Sequence, residues 1–285
     1  MRRALHLLLL VGVLAAPVAA GPAAAAADKP ARVVSLNLCT DQLALLLADP
    51  GQIVSVTALG ARPEESLMAE RAAGLALNHG DLEEVLPLRP DLAIAGRYTS
   101  RFTAAALARL GISVLELAHA ESFADVRANI RRVAAALGTE ARGAALIAAM
   151  DRRIDRLRRA ADALGPAPRA LIYRAGGHTL GPDSLAGAVL TLAGFENAAE
   201  AYGIARFGDV PVDGVLALSP DLLIVGVYRA EGPSLARDVT QHPAIRAHGV
   251  ETLAVPTRRW GCGVPAALDV AERLIAWRKA WEAGS

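Results

Sequence analysis

The chain has 285 residues with 30 basic and 29 acidic side chains, and its formal net charge at pH 7 is +1. This balance argues against a nucleic-acid-binding surface and against a polybasic membrane-binding segment. Once an N-terminal leader is set aside, about 258 residues remain, which is enough for two compact domains.

Residues 1–27 have the pattern of a secretory signal peptide. Two arginines precede an apolar run of thirteen residues, Ala4 to Ala16, and small residues suited to cleavage follow. The run is too short to span a membrane, and the alternative is a buried N-terminal helix. No cysteine follows closely, so a lipid anchor is not expected. We expect an exported, soluble chain that begins between Gly21 and Asp28.

The first half of the mature chain alternates short apolar strands with helices. Strands are predicted at residues 32–37, 52–57, 92–95 and 112–117, and helices at residues 40–47, 64–73, 82–86 and 102–110. Thr40 is the expected N-cap of the first helix. This alternation predicts an α/β lobe, residues 28–121, with a parallel sheet covered on both faces.

Residues 122–165 form a helical connector. Within it, residues 139–164 carry the clearest amphipathic pattern of the sequence, because Leu146, Met150, Ile154 and Leu157 recur at three- and four-residue steps. A helix of this length spans roughly 38 Å. It is therefore long enough to join two lobes.

The second half, residues 166–285, repeats the pattern of the first. Residues 84–96 (EVLPLRPDLAIAG) match residues 214–226 (GVLALSPDLLIVG) at most positions, each as helix, Pro-Asp turn, strand and glycine. Each segment is followed by a loop that contains a tyrosine, Tyr98 or Tyr228. The chain is therefore predicted to hold two Rossmann-like lobes with parallel sheets, joined by one long α-helix.

Ligands of open parallel sheets bind beyond the carboxyl ends of the strands, and this rule selects loops in both lobes. Four of the eleven aromatic residues, Tyr98, Tyr173, Tyr228 and Trp260, fall on these loops, where flat rings suit a macrocycle or a catecholate. Loop arginines could bind anionic oxygens of a ligand through paired hydrogen bonds, although many loop arginines are simply solvated. The predicted cleft residues are Asn37, Cys39, Thr40, Arg62, Tyr98, Tyr173, Arg174, Tyr228, Arg229, Arg259 and Trp260.

Cys39 and Cys262 stand near opposite ends of the mature chain, and their distance in space cannot be read from the sequence. A disulfide, two separate thiols and ligation of a soft metal or haem all stay open. The histidines are scattered, and His178 is the one nearest a predicted cleft loop. The sequence predicts no protein metal site and no permanently bound cofactor.

Enzyme motifs are absent from the sequence. There is no G-x-S-x-G and no P-loop, and the Gly261–Ala266 match to G-x-G-x-x-A includes Pro265 and has no following strand. The rival hypothesis is a two-domain α/β enzyme acting on a nucleotide or sugar substrate in the cleft. A carrier of bare zinc or manganese would need clustered His, Asp and Glu residues on facing loops, which the sequence lacks.

The chain resembles the periplasmic substrate-binding proteins of ABC importers for iron–siderophore, haem and cobalamin. The matching stretches are RVVSLNLCTDQLALLL, EEVLPLRPDLAIAG, the long helix, GPDSLAGAVLTLAGFENAAE and DGVLALSPDLLIVG. The resemblance implies a monomeric, non-enzymatic periplasmic protein whose lobes move little. Its cargo would be a transported metal chelate held in the inter-lobe cleft, with a ferric siderophore expected first, a corrinoid second and haem third.

The resemblance also implies partners, namely an importer permease and its ATPase. A carboxylate on each lobe would dock on arginines of the permease. By position these carboxylates are Glu83 or Glu84 in the first lobe and Asp213 in the second. Acidic residues at helix starts also stabilise the helix itself, which is the alternative explanation for all three.

Overall fold

The computed structural model describes residues 29–227 and 238–284. The predicted leader lies outside the described residues, as do Tyr228 and Arg229 of the predicted cleft. Two parallel sheets account for most of the strands, and helices cover both of them. Among the described residues, no helix is long and apolar enough to cross a membrane.

The first sheet holds five parallel strands in the order β3-β2-β1-β4-β5. Its buried strands are continuous apolar runs, as expected when both faces of a parallel sheet are covered. The strands are β1 (Val33–Ser35), β2 (Ile53–Thr57), β3 (Ala76–Asn78), β4 (Leu92–Gly96) and β5 (Ser113–Leu117).

The second sheet holds four parallel strands in the order β11-β10-β6-β8, and a separate antiparallel ribbon pairs β7 with β9. The chain enters both sheets through a central strand, β1 or β6, and adds strands on either side. The strands are β6 (Arg169–Tyr173), β7 (His178–Leu180), β8 (Glu196–Asn197), β9 (Phe207–Asp209), β10 (Leu222–Val227) and β11 (Glu251–Pro256).

Helices pack on both sheets and between them. They are α1 (Leu38–Leu47), α2 (Leu82–Val85), α3 (Arg101–Arg109), α4 (Phe123–Leu137), α5 (Glu140–Asp162), α6 (Leu185–Leu192), α7 (Val212–Leu218), α8 (Pro243–Ala247) and α9 (Ala267–Gly284).

The long helix α5 is present, and its apolar face is buried as predicted. Met150, Ile154 and Leu157 are each at most 5% exposed. They belong to one apolar core that includes residues of β1 in the first lobe and of β10 and α9 in the second. Because this core runs through both lobes, separating them would expose apolar surface to water, at a free-energy cost of about 25 cal/mol per Å².

The repeated Pro-Asp segments have the same geometry in both lobes. Arg89 and Ser219 end their helices in the left-handed conformation, with φ of 48° and 42°. The carboxylate of Asp91 then accepts a hydrogen bond from the backbone N–H of Arg32, and Asp221 does the same for Arg169. Each aspartate thereby fixes the start of the central strand of its sheet, which explains why the motif occurs twice.

Some predicted elements are wrong. The N-cap of α1 is Asn37, because its side chain accepts from the N–H groups of Cys39 and Thr40, whereas Thr40 lies inside the helix. Residues 64–73 are mostly turns with a 3₁₀ segment at Ala69–Ala72, since the N–H groups of Leu67 and Met68 donate to the side chains of Gln42 and Ser66 and not to helical carbonyls. The short strands β3, β7, β8 and β9 were not predicted.

Candidate functional site

Each sheet has a topological switch point. Here the chain stops adding strands on one side of the central strand and begins to add them on the other. In the first sheet it lies between β1 and β4, and in the second between β6 and β10. A crevice opens at the carboxyl ends of the strands at such a point, and ligands bind there. The loops after these strands are therefore the best-placed groups in either lobe.

The first switch point forms a pocket of about 150 Å³. Asn37 follows β1, and its side-chain N–H donates to Thr99 Oγ1 in the loop after β4, at 2.9 Å. A side chain at Gly96 would lie 2.8 Å from Thr99 Oγ1, so only glycine permits this close approach. Asn37, Cys39 and Thr40, three of the predicted cleft residues, line the pocket together with Gly263 of the second lobe.

Among the predicted aromatic cleft residues that the structure describes, Tyr98 is the most exposed. It lines the same pocket and is 74% exposed. The first turn of α3 follows at once, and it presents Phe102 with 94% of its surface exposed. Phe102 was not among the predicted cleft residues, because the first position of a predicted helix gave no signal of exposure. The rim of the first lobe therefore carries two accessible rings.

The second switch point is marked by Arg174, which follows β6. A Cβ atom at Gly226 of β10 would lie 3.2 Å from Arg174 Cγ, so the aliphatic part of the Arg174 side chain packs over that strand. Burial lowers the pKa of Arg174 from its usual value. Arg174 thus lies at the carboxyl edge of the sheet, and its role as a cleft residue stays a prediction.

Two predicted aromatic residues do not offer a surface to a ligand. Tyr173 is 0% exposed and packs in the core of the second lobe, where its hydroxyl has no hydrogen-bond partner among the described residues. Burial raises its pKa, and the nearby charge of Asp213 adds to the effect. Trp260 is 6% exposed and belongs to the core shared by both lobes. At the strand end that holds Tyr173, the alternation of buried and exposed positions, not loop membership, decides which way the side chain points.

The predicted loop arginines have different surroundings. Arg259 donates to Asp269 of α9 at 2.6 Å, and Asp269 also accepts from Arg153 of the long helix, so Arg259 belongs to a structural ion-pair network. Arg62 is exposed on the loop after β2. Arg258 reaches the other lobe and donates to the carbonyl of Pro63. Arg259 is therefore less available to a ligand than predicted.

Cys39 and Cys262 are joined as a disulfide, so the first of the three open alternatives holds. Cys39 lies in the first turn of α1, and Cys262 precedes α9 in the second lobe. The bond crosses between the lobes at the wall of the pocket. Another inter-lobe contact pairs Arg206 Nε with Glu121 Oε2 at 2.7 Å.

Asp41 is a buried carboxyl group beneath the pocket wall. Both of its oxygens accept from the N–H of Thr57, and Oδ2 also accepts from the Thr57 hydroxyl. Burial outweighs these bonds and raises the pKa of Asp41 to about 6. The group holds α1 against the end of β2.

The predicted docking carboxylates lie on the short helices before the Pro-Asp turns. Glu83 and Asp213 are exposed in the first turns of α2 and α7. Glu84 instead accepts from the backbone N–H and the Nδ1 of His79, and these bonds lower the pKa of Glu84. Glu83 is therefore better suited than Glu84 to meet a partner.

Residues 33–248 match a family model described as periplasmic binding protein. A relative from Halobacterium salinarum, named a cobalamin-binding protein, is 27% identical over 205 residues, which is 70% of this chain. The chain spans about half the length of that relative, 55%.

Solved structures of low identity share the fold. A periplasmic heme-binding protein from Roseiflexus sp. RS-1 has a TM-score of 0.69 and 23% identity, covering 87% of this chain and 98% of that one. The periplasmic vitamin B12 binding protein of Vibrio cholerae has a TM-score of 0.67 and 19% identity, covering 88% and 98%. These likenesses bear on the architecture of two lobes around a long helix.

Proposed function

The chain belongs to the periplasmic binding protein family, and from this premise we propose that it captures a metal chelate between its lobes and delivers it to an ABC importer. The observation that carries the proposal is the cleft itself. Two switch points lie at the carboxyl ends of their sheets, and the wall between the lobes includes Cys39 and Gly263. The exposed Tyr98 suits a flat, partly apolar ligand.

The proposed protein binds its cargo without changing it. The cleft pocket offers hydroxyl, amide and aromatic groups, the guanidinium of Arg97 and the imidazole of His119. Among the described residues no hydrogen bond joins this imidazole to a hydroxyl, so we infer no nucleophile paired with a base in the pocket. This favours a carrier over the rival hypothesis of an enzyme acting on a nucleotide or sugar. The proposed location is the periplasm, and the proposed partners are the permease and ATPase of an importer.

The named ligands of the relatives support a proposal for the class of chelate. Two curated relatives, both 27% identical, are named cobalamin-binding proteins, and this moves a corrinoid ahead of a ferric siderophore. Haem stays within the proposed class, since the cleft rim offers the same flat rings to either macrocycle.

Binding titrations test the proposal. The purified protein is titrated with aquocobalamin, ferric haem, a ferric hydroxamate and a ferric catecholate, and binding is followed by calorimetry and tryptophan fluorescence. Trp260 lies two residues from the inter-lobe disulfide, so we expect its emission to change with cleft occupancy. Micromolar or tighter binding of one chelate supports the proposal. No binding of any chelate, together with turnover of a nucleotide or sugar, contradicts it.

A further inference from the structure

The two ends of the inter-lobe disulfide differ in their exposure. Cys39 is half-buried and lines the first-lobe pocket. Cys262 is 5% exposed. A reagent in solution therefore meets the bond at the sulfur of Cys39, and it arrives through the pocket.

Close packing of the second-lobe segment covers the other sulfur. A Cβ atom at Gly263 would overlap the Cβ of Ala120 in the first lobe, so only glycine fits where this segment touches that lobe. A Cβ atom at Gly261 would lie 2.9 Å from the carbonyl oxygen of Thr257. Cys262 is thus enclosed between its own turn and the first lobe.

Access decides how a disulfide reacts. Thiol–disulfide exchange begins when a thiolate attacks one of the two sulfurs, and its rate depends on which sulfur can be reached. Exposed disulfides are the labile ones, whereas well-covered structural disulfides resist reduction. The Cys39–Cys262 bond is approached from the cleft, so a molecule that fills the pocket also covers the reactive sulfur.

The disulfide is also the covalent constraint on the width of the cleft. The other inter-lobe contacts described above are polar: Arg206 pairs with Glu121, and Arg258 donates to the carbonyl of Pro63. Ion pairs near the surface constrain a protein weakly, because water competes for their charges. The shared core around α5 connects the lobes elsewhere. Breaking the disulfide would therefore loosen the lobes at the pocket.

We propose that the Cys39–Cys262 disulfide is a redox-sensitive tether of the cleft, which a dithiol opens when the pocket is empty and cannot open when cargo covers it. Opening the tether lets the lobes separate at the pocket and weakens cargo binding. The part played by cargo rests on the proposed function, whereas the reaction of the empty protein does not.

The reaction is a two-electron exchange. One thiolate of the dithiol attacks Cys39 Sγ, forms a mixed disulfide with it and releases Cys262 as a thiolate. The second thiolate of the dithiol then closes a disulfide within the reagent and releases Cys39. The dithiol loses two electrons and two protons, and the cysteines gain both as two thiols. Cys39 leaves from the first turn of α1, where the positive end of the helix favours a thiolate.

Reduction of the folded wild type by dithiothreitol is the first test. Samples are quenched with iodoacetamide, and mass spectrometry counts the alkylated cysteines. A bond that reacts only in unfolded molecules would be reduced faster with each addition of urea below the unfolding transition, because urea raises the unfolded population. We expect a rate that does not change with urea in this range. With the monothiol glutathione, the first adduct is expected on Cys39.

The second test repeats the reaction with chelates present. Cyanocobalamin, a gallium porphyrin and a gallium hydroxamate are used, because dithiols do not reduce gallium. At a free concentration of about 100 times Kd, roughly one protein molecule in a hundred is empty, so a chelate that binds should slow the reduction about 100-fold. A chelate that does not bind serves as the control and should leave the rate unchanged.

The third test measures affinity without a reductant. Cys39→Ser with Cys262→Ser represents the opened tether, and it should bind the same chelate about 5- to 150-fold more weakly than wild type. Amide hydrogen exchange at residues 118–122 and 260–264 should be faster in this variant. Arg278→Met is the matched control for lost stability, because its buried guanidinium binds carbonyls after α5 and α6. It should keep the affinity of wild type.

Four outcomes would overturn the inference. They are a reduction rate that rises with urea, a first adduct on Cys262, equal reduction rates with and without a chelate that binds, and equal chelate affinity in wild type and the double variant. The kinetic tests use wild type alone, so they hold even where the double variant does not fold. If wild type binds no chelate, the proposed function fails together with the part played by cargo, while the urea and glutathione measurements still decide whether the empty tether opens.

Discussion

Cys39 in the first lobe is bonded to Cys262 in the second, 223 residues later, with their Cα atoms 5.0 Å apart. The bond stands at the cleft wall, while the long helix α5 and the shared core connect the lobes elsewhere. Two separate connections restrict rotation more than one does. The small lobe movement that the resemblance implies therefore has two physical causes, the long helix with its core and the disulfide.

Replacing both cysteines, Cys39→Ser with Cys262→Ser, should lower the free energy of unfolding. Chain-entropy arguments for a closed loop of this length give about 5 kcal/mol, which is the upper end of measured disulfide effects. Urea unfolding with and without a reductant measures the effect. The free energy of unfolding of wild type should fall on reduction, and that of the double variant should not change. Two free thiols in the denatured, unreduced wild type would contradict the assignment.

Removing the exposed carboxylates, Glu83→Ala with Asp213→Ala, should leave chelate affinity unchanged and abolish uptake through the importer. Each lost charge-assisted hydrogen bond to a permease arginine is worth about 1.5 to 3 kcal/mol, or roughly tenfold or more in affinity. Binding to the permease in proteoliposomes and cellular uptake measure the effect. Asp155→Ala, exposed on the long helix, is the control. Full uptake by the double variant would refute the docking assignment.

The stability of the protein should depend on pH through Asp41. Its pKa is raised from 3.8 to about 6 by burial, so the folded protein keeps a proton that the unfolded chain has lost. The stabilisation is complete below about pH 4 and is lost as pH rises to about 6. The total change is about 3 kcal/mol at 1.36 kcal/mol per pKa unit.

Asp41→Asn should remove this dependence. Urea unfolding of wild type and variant between about pH 4 and 7 measures it: the difference between the two free energies should change across this window and stay constant above it. Asp155→Asn, at an exposed position, should run parallel to wild type throughout. Parallel curves for Asp41→Asn would show that folding leaves the pKa of this carboxyl unchanged and would contradict the prediction.

Arg278 of α9 is 2% exposed and donates hydrogen bonds to backbone carbonyls that follow two other helices. Its guanidinium donates to the carbonyls of Ala193 and Gly165 at 3.0 and 2.8 Å, after α6 and α5. Arg278→Met should leave these carbonyls unsatisfied and lower the free energy of unfolding by about 3 to 5 kcal/mol. Lys279→Ala, exposed on the same helix, should change it by less than about 0.5 kcal/mol in the same urea experiment.

Local patterns identified the architecture well. The apolar period of residues 139–164 predicted α5, and the paired Pro-Asp segments predicted two lobes with parallel sheets. Both signals are carried by residues close together in the chain. The short strands β7 and β9 were not predicted, because three residues are too few to show a period and the two strands pair across 31 residues.

The candidate site was only partly predictable for the same reason. Loop membership selected Tyr98 and Tyr173 equally, yet one is exposed in the cleft and the other is buried. The sequence predicted Arg259 as a ligand-binding residue, whereas in the structure its side chain donates to Asp269 on another element. Side-chain direction at a strand end and partners from distant elements are set by packing, which no local pattern records.

By itself, the sequence determined the alternation of strands and helices, the duplicated lobe, the connecting helix and the edge of each sheet where a ligand would bind. These follow from periodicity and turn chemistry over a few residues. Only the tertiary structure decided that Cys39 meets Cys262, that Glu121 meets Arg206 and that Asp209 contacts His178. Each of these pairs joins residues that are far apart in the chain, and chain folding alone brings them into contact.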